Sequence, residues 1–272
     1  MAKKRVEHGV APRGENSEAA SFIYGMHAVT ALLERPQRII TLYVDHKRLD
    51  QRLRTLLQQA AAQGVRCENV AAEWLTQQVG EVSHQGVVAL TQPQPMHGEA
   101  FLDDLLTSAT TPLLLLVLDG VQDPHNLGAC LRSADAAGVA AVVIPKDRAC
   151  GLNATVRKVA SGAAESVPLV QVTNVARTLQ MLKDANFWLL GTALDEQRRS
   201  LYDLSTTEVN GALALVMGAE ERGLRRLTKE HCDALVAIPM HGMVESLNVS
   251  VATAVTLFEL VRRRQMRENS AD

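Results

Sequence analysis

Six continuous apolar runs lie between residues 113 and 240, and polar or helical segments separate them. The runs are LLLLVLDG, VAAVVIP, SVPLVQV, FWLLGTAL, ALALVMG and ALVAIPM. Because apolar residues fill them without alternation, each run is typical of a strand that is buried on both faces. Strands of this kind that alternate with helices form a mainly parallel sheet with helices on both faces. The sequence therefore predicts an α/β domain over residues 112–272.

A smaller α/β unit is predicted before this domain, over residues 21–92. It combines the helical patterns GMHAVTALLER and LDQRLRTLLQQAAAQG with strand patterns such as RIITLYV and GVVALTQ. The stretch QPQPMHGEAFLDDLLTSATTP that follows is polar and rich in proline, as linkers are. We therefore expect a flexible tail over residues 1–20, the small domain over 21–92, a linker over 93–111 and the larger domain over 112–272.

Composition and charge exclude several classes of protein. The formal net charge of −2 argues against a general nucleic-acid coat, which needs a basic excess. No apolar stretch approaches the ~20 residues of a membrane span, and no apolar segment follows the basic N-terminus, so we expect a cytoplasmic protein without membrane contact. The four cysteines are far apart and form no C-x-x-C pair, which predicts buried thiols without a disulfide or a metal.

The segment NLGACLR, residues 126–132, places an arginine in a stretch of small apolar residues. Asn126 follows an Asp-Pro turn signal and is the expected N-cap of a helix. Helical side chains lean toward the N-terminus, and Gly128, one turn before Arg132, has no side chain to block it. The guanidinium is therefore predicted to lie along the first turn and to reach the strand ends, where helix amides favour an anion. The alternative is a surface arginine with a buried stem.

Two later segments also place polar residues just after predicted strands. In LALVMGAE, Gly218 ends a strand and would let a ligand approach the backbone, and Glu220 stands two residues beyond. In ESLNVS, three polar residues crowd the start of a helix predicted from about Ser246, and helix capping explains only one of them. These three are Ser246, Asn248 and Ser250.

In this order, N-L-G-A-C-L-R, M-G-A-E, I-P-M and S-L-N-V-S resemble the SpoU/TrmH branch of the SPOUT RNA methyltransferases over residues 112–265. YGMHAVTALLE and HQGVVAL resemble the ribosomal-protein-L30-like (L30e-like) substrate-binding domain of that family. With both parts present, the most similar members are those that methylate the ribose 2′-oxygen of a guanosine in the peptidyl-transferase loop of 23S ribosomal RNA. The resemblance implies S-adenosyl-L-methionine as cofactor, no metal, a C-terminal trefoil knot, and a homodimer with its active site near the dimer interface.

The resemblance also implies roles for individual residues. The catalytic set would be Arg132, Asn126, Glu220, Ser246 and Asn248. The cofactor would lie against Gly218, Ile238, Leu247, Thr192, Ala193 and Met240. The small domain would hold RNA phosphates with Arg35, Arg38, Lys47 and Arg48.

The reluctance of a guanidinium to lose a proton limits the roles that Arg132 can have in the reaction. The family assigns it activation of the ribose hydroxyl, but a guanidinium does not readily lose a proton. We therefore expect Arg132 to bind the target phosphate and to stabilise the developing oxyanion. Asn126 and Asn248 would position polar groups, Ser246 would bond the substrate or the cofactor, and Glu220 would orient Arg132 or the ribose.

Two alternatives stay open on the sequence. One is a methyltransferase of the same family that acts on transfer RNA, and the other is a non-catalytic RNA-binding or assembly protein. The five catalytic candidates together argue against the second. A dehydrogenase is disfavoured because no G-x-G-x-x-G follows the first strand of the larger domain. Glu245, beside Ser246, either faces the pocket, where it would oppose a phosphate, or faces solvent.

Overall fold

The computed structural model of the chain describes residues 20–48, 50–92, 96–193, 198–219 and 222–268. The expected tail, residues 1–20, lies outside this part of the chain except for Ala20, and so does Glu220. The described strands form one sheet of four strands and one of seven. Within the described ranges, the structure contains no helix with the length and apolar character that crossing a membrane requires.

The small unit is built around the four-stranded sheet. Its elements are β1 (Ser21–Tyr24), α1 (Met26–Leu32), β2 (Ile39–Asp45), α2 (Gln51–Ala62), β3 (Cys67–Val70), α3 (Ala72–Val79) and β4 (Val87–Thr91). The strand order is β1-β4-β2-β3, and only the β2–β3 pair is parallel. Helices α1 and α2 bury Val29, Leu53 and Leu56 against the sheet. The sequence patterns do not predict β1, because four residues are too few to show a period.

Part of the predicted linker is a helix. Helix α4 (Glu99–Ser108) lies inside residues 93–111, and its Leu102 is fully buried in the core of the larger unit. The backbone N–H of His97 also donates to the carbonyl of Leu169, at 2.9 Å. The linker prediction is therefore wrong for residues 97–108. The prolines before and after this stretch favour a linker, and its polar residues hide the helical spacing of Phe101, Leu102 and Leu105.

The larger unit contains the seven-stranded sheet. Its strands are β5 (Leu114–Asp119), β6 (Ala141–Pro145), β7 (Leu169–Val172), β8 (Trp188–Thr192), β9 (Arg199–Ser200), β10 (Leu213–Gly218) and β11 (Ala234–Ala237). Its helices after α4 are α5 (Pro124–Ala136), α6 (Ala154–Ala160), α7 (Ala163–Ser166), α8 (Val175–Asp184), α9 (Thr206–Val209), α10 (Arg226–His231) and α11 (Val249–Glu268). The strand order is β7-β6-β5-β10-β8-β11-β9, with every pair parallel. The prediction of a mainly parallel sheet is confirmed.

Both faces of this sheet are buried, as the continuous apolar runs predict. Leu116 and Leu118 of β5 pack with residues of α5 and α11, whereas Leu115 and Val117 of the same strand pack with α4 and α8. Successive side chains of a strand point to opposite faces, so one strand contributes to both cores. The helical cover on the two sides explains why no polar alternation is needed in β5.

The first turn of α5 differs from the sequence prediction. The helix begins at Pro124, and the carboxylate of Asp123 caps it by accepting from the backbone N–H of His125, at 3.0 Å. Asn126 is therefore the third helical residue, and its assignment as N-cap is wrong. The Asp-Pro pair is itself the start signal, since aspartate is a favoured cap and proline suits the first helical position.

Gly128 serves the packing of two helices. A Cβ atom at Gly128 would lie 2.7 Å from Val159 Cβ and 2.9 Å from the carbonyl oxygen of Val156, on α6. The space beside this glycine is therefore filled by α6. The expectation that it accommodates the guanidinium of Arg132 is wrong.

The cysteines do not share one environment. Cys130 is buried and Cys150 and Cys232 are half-buried, but Cys67 is exposed. Cys67 is the first residue of β3, which lies at the edge of the smaller sheet. The expectation of four buried thiols is therefore wrong for Cys67, and spacing along the chain gave no information on this edge position.

We expect Gly128→Ala to lower the free energy of unfolding by about 1–3 kcal/mol, because the added methyl group forces α5 and α6 apart. The matched control is Gly211→Ala, since a Cβ there meets no atom within 4 Å. The control should stay within about 0.5 kcal/mol of the unmodified chain. Urea denaturation followed by circular dichroism measures both. Equal stabilities of the two variants would contradict the close approach of the helices.

Candidate functional site

A cavity of about 580 Å³ lies at the C-terminal ends of β8, β10 and β11. This is the edge where ligands bind in open parallel sheets, and the volume is in the range of small-molecule sites. The loops after the three strands and the start of α11 form its walls. Seven residues that the sequence analysis selected line it together: Thr192, Ala193, Gly218, Ile238, Met240, Ser246 and Leu247.

Charged residues border the otherwise apolar cavity. Arg222, Lys229 and Glu245 all contribute to its lining. Glu245 is exposed and also lines the cavity. It therefore faces both the pocket and solvent, at the cavity rim. Arg222 and Lys229 are not among the residues predicted from the sequence. Their only signal is a run of charged residues after β10, which is also typical of a solvated helix.

Gly218 is required by the chain's own loop. A Cβ atom there would lie 2.1 Å from the carbonyl carbon of Gly223 and 2.3 Å from the nitrogen of Leu224. The loop returns to the strand through two hydrogen bonds between Ala219 and Gly223, and Gly223 has a φ of +60°. The expected close approach to Gly218 therefore exists, but the backbone at 223–224 makes it. Glu220 belongs to this loop and lies outside the described residues.

Asn126 and Asn248 are brought together from 122 positions apart in the chain. The Nδ2 of Asn248 donates to the Oδ1 of Asn126 at 3.0 Å, which joins α5 to the start of α11. The Oδ1 of Asn248 in turn accepts from the backbone N–H of Ser250, at 2.9 Å, and from its Oγ, at 2.6 Å. The helix thus starts at Val249 and not near Ser246, with Asn248 as its cap. Ser246 is exposed at the cavity.

Arg132 does not reach the cavity of its own chain. It is exposed, it is not among the residues that line the cavity, and no ion pair joins it to any residue in the described ranges. Its neighbours Leu131 and Ala134 are buried on the other side of α5. Within a single chain, the surface position that the sequence left as an alternative is the one observed.

Two thiols behind the site stay protonated at neutral pH. Burial raises the pKa of Cys130 to about 11 and that of Cys232 to about 12. Cys130 faces Thr253 of α11, with 3.6 Å between its Sγ and the threonine Oγ1. Neither thiol can therefore serve as a base or a nucleophile near pH 7.

Across the described residues, no three His, Cys, Asp or Glu side chains are grouped so that they could hold a metal.

The four predicted phosphate contacts of the small unit have different environments. Arg35 and Lys47 are exposed. Arg48 donates to Asp50 and to the carbonyl of Gln85. Arg38 forms an ion pair with Glu165 of α7 and donates to its backbone carbonyl at 2.6 Å, and only 13% of its side chain is exposed. Arg38 thus connects the two units, and this use argues against its role as a phosphate contact.

Comparison with protein-family models assigns both units. The description "SpoU rRNA Methylase family" matches residues 113–258, which is more than half of the chain. The chain belongs to this family. The description "RNA 2'-O ribose methyltransferase substrate binding" matches residues 22–96, so the family's two-part organisation is present.

Individual relatives agree with this membership. The chain is 56% identical over 246 residues to the 23S rRNA (guanosine-2'-O-)-methyltransferase RlmB of Photorhabdus laumondii, covering 90% of this chain and 99% of that protein. The RlmB of Escherichia coli K12 is 53% identical over 246 residues, which again cover 90% of this chain and 99% of that protein. The SpoU methyltransferase AviRb from Streptomyces viridochromogenes, solved with its cofactor AdoMet, has a TM-score of 0.64 at 24% identity, covering 91% of each chain. This structural likeness shows a shared fold.

We expect Asn248→Ala to lower the free energy of unfolding by about 1–2 kcal/mol, because α11 loses its cap and its bond to α5. Asn248→Asp keeps an acceptor for the N–H of Ser250 but loses the donor to Asn126, so it should recover part of the loss. Thermal melts at pH 7 compare the variants. An alanine variant as stable as the unmodified chain would show that the asparagine pair does not join the helices.

Proposed function

We propose that this chain transfers the methyl group of S-adenosyl-L-methionine to the ribose 2′-oxygen of a guanosine in the peptidyl-transferase loop of 23S ribosomal RNA. The principal observation is that seven residues selected from the sequence meet in one cavity at the C-terminal edge of a parallel sheet. The activity named for relatives at 53–56% identity supports the reaction and the substrate. It also favours ribosomal over transfer RNA. Because ribosomal RNA is the substrate, we place the protein in the cytoplasm.

The residues present fit the cofactor. The cavity of about 580 Å³ has apolar walls, including Ile238 and Leu247, that suit an adenosine. The carboxylate of Glu245 at the rim suits a ligand with positive charges. When bound, S-adenosyl-L-methionine supplies an electrophilic methyl group on a sulfonium, and this chemistry requires no metal.

The same part of the chain is our candidate for the trefoil knot. The loop after β10 returns to Gly218, and β8 lies between β10 and β11 in the sheet. The chain therefore crosses β8 between these two strands. We infer that the segments after β10 and β11 form the knot that the family resemblance implies, an exception to the rule that chains do not thread their own loops. The small unit, residues 21–92, is then the L30e-like domain that holds RNA.

We further propose a homodimer, because Arg132 lies outside the cavity of its own chain. Helix α5 packs against α11, and on α11 the apolar Val251 and Phe258 are 48% and 49% exposed. Large exposed apolar side chains are typical of a protein interface, and so is an exposed arginine that has no ion-pair partner among the described residues. In a two-fold dimer each copy offers its partner the same patch. The guanidinium of one copy would then face the cavity of the other.

In this arrangement Arg132 acts on the RNA. Its guanidinium binds the phosphate next to the target ribose and stabilises the negative charge that develops on the 2′-oxygen. Asn248, held by Asn126, fixes the start of α11, and Ser246 offers a hydroxyl at the cavity. Glu220 keeps its proposed role of orienting Arg132 or the ribose.

The purified chain should incorporate labelled methyl groups from S-adenosyl-L-methionine into 23S ribosomal RNA. The product should map to one guanosine whose 3′ phosphodiester resists alkali, as a 2′-O-methyl ribose requires. Arg132→Ala should lower the rate by about 10²–10³-fold, because the developing charge loses its cation, and should leave cofactor affinity within two-fold by calorimetry.

The matched control for this variant is Arg177→Ala, since Arg177 is equally a helical arginine, with 64% of its side chain exposed in an ion pair with Glu99. It should methylate at the unmodified rate. Near-normal turnover of Arg132→Ala would overturn the assigned role. Methylation of transfer RNA in preference to ribosomal RNA would overturn the proposed substrate.

Binding of RNA to the small unit should depend on its exposed cations. Lys47→Ala should weaken binding of a ribosomal RNA fragment and reduce the slope of log affinity against log salt by about 1, because one phosphate contact is lost. Arg177→Ala is the control, since Arg177 is exposed but already pairs with Glu99 on the larger unit. Filter binding between 50 and 300 mM salt compares them. An unchanged slope for Lys47→Ala would remove this residue from the interface.

A further inference from the structure

Asp119 has a buried carboxylate at the edge of the sheet where the cavity lies. It ends β5, and its register partner in the neighbouring strand is Gly218, which ends β10. Its side chain is fully buried and is not part of the cavity lining. A buried charge is costly unless other groups compensate it, so its partners are strongly constrained.

Both partners of this carboxylate belong to the segment that follows β10. The Oγ1 of Thr228 donates to the Oδ2 of Asp119 at 2.6 Å, and Thr228 is itself buried. The Nε of Arg225 lies 3.4 Å from the Oδ1, and this oxygen has no hydrogen-bond partner among the described residues. Gly120 has a φ of +98°, and a Cβ there would lie 3.7 Å from the Nη2 of Arg225.

Residues 222–224 lie just before these anchors and form a wall of the cavity. Gly218 precedes this wall in the chain, and Arg225 and Thr228 follow it. Among the described residues, two backbone hydrogen bonds between Ala219 and Gly223 hold the turn that precedes it. The position of the wall therefore depends on where Asp119 holds Arg225 and Thr228.

We propose that Asp119 is a positioning residue: its carboxylate, through Thr228 and Arg225, holds residues 222–228 in the conformation that closes the cofactor cavity. Because the carboxylate is buried behind the strand ends, it contacts neither RNA nor cofactor. This inference rests on the proposed function only in naming the ligand.

The test compares two substitutions of the hydroxyl donor. Thr228→Val keeps the shape of the side chain but removes the donor, and Thr228→Ser keeps the donor. Without cofactor, tryptic cleavage after Arg222 should be several-fold faster in Thr228→Val than in the unmodified chain. Thr228→Ser should retain the original protection. With S-adenosyl-L-methionine, calorimetry should show a dissociation constant about ten-fold higher for Thr228→Val, as expected for the loss of one charge-assisted hydrogen bond.

Asp119→Asn and Arg225→Ala extend the test. Both should raise KM for the cofactor more than they lower kcat, and neither should change KM for RNA. If Thr228→Val does not melt cooperatively, Arg225→Ala replaces it, since 46% of the Arg225 side chain is exposed and its truncation is compatible with folding. Cleavage after Arg222 as slow as in the unmodified chain would overturn the proposal. The cleavage experiment contains no cofactor, so it tests the role of Asp119 independently of the proposed function. Failure of the unmodified chain to bind S-adenosyl-L-methionine would instead count against the proposed function.

Discussion

The parallel pairing of β5 with β10 is the constraint on which the rest of the larger unit depends. The register places Asp119 beside Gly218, so the two strands end together. With β8 and β11 running parallel on the far side of β10, the loops after three strands open at the same edge. A cavity at this edge follows from strand direction alone. Its chemistry then depends on which side chains the loops contribute.

These loops are shaped mainly by backbone and by small residues. Gly218 lets the returning loop touch its strand, and Ala252 lines the cavity on the first turns of α11. Asn248 uses both ends of its amide, since the nitrogen donates to Asn126 and the oxygen accepts from Ser250. A single residue therefore sets the start of α11 and its distance from α5.

The sequence predicts the parts of this arrangement that follow from local patterns. Continuous apolar runs identify the strands of the parallel sheet, and the end of a strand and the start of a helix point to Gly218 and Ser246. The other five predicted residues that line the cavity came from the family resemblance. What it misses depends on contacts between distant segments. The role of Gly128 requires the position of Val159, and the partner of Arg38 lies on α7, 127 residues away. Helix α4 is hidden because polar residues and prolines flank its short apolar pattern. No single-chain pattern indicates whether an exposed arginine such as Arg132 meets a second copy.

The charge distribution reconciles an acidic chain with an RNA substrate. Many of its arginines are neutralised locally, as Arg177 is by Glu99 and Arg226 is by Glu230. Arg35, Lys47 and Arg132 have no ion-pair partner within the described part of the chain and are exposed. Surface cations without a nearby carboxylate keep their full attraction for phosphate. The attraction of a paired cation for phosphate is largely cancelled by the negative charge of its carboxylate partner. A net charge of −2 therefore says little about RNA binding, because the field at a phosphate depends on the few cations left unpaired.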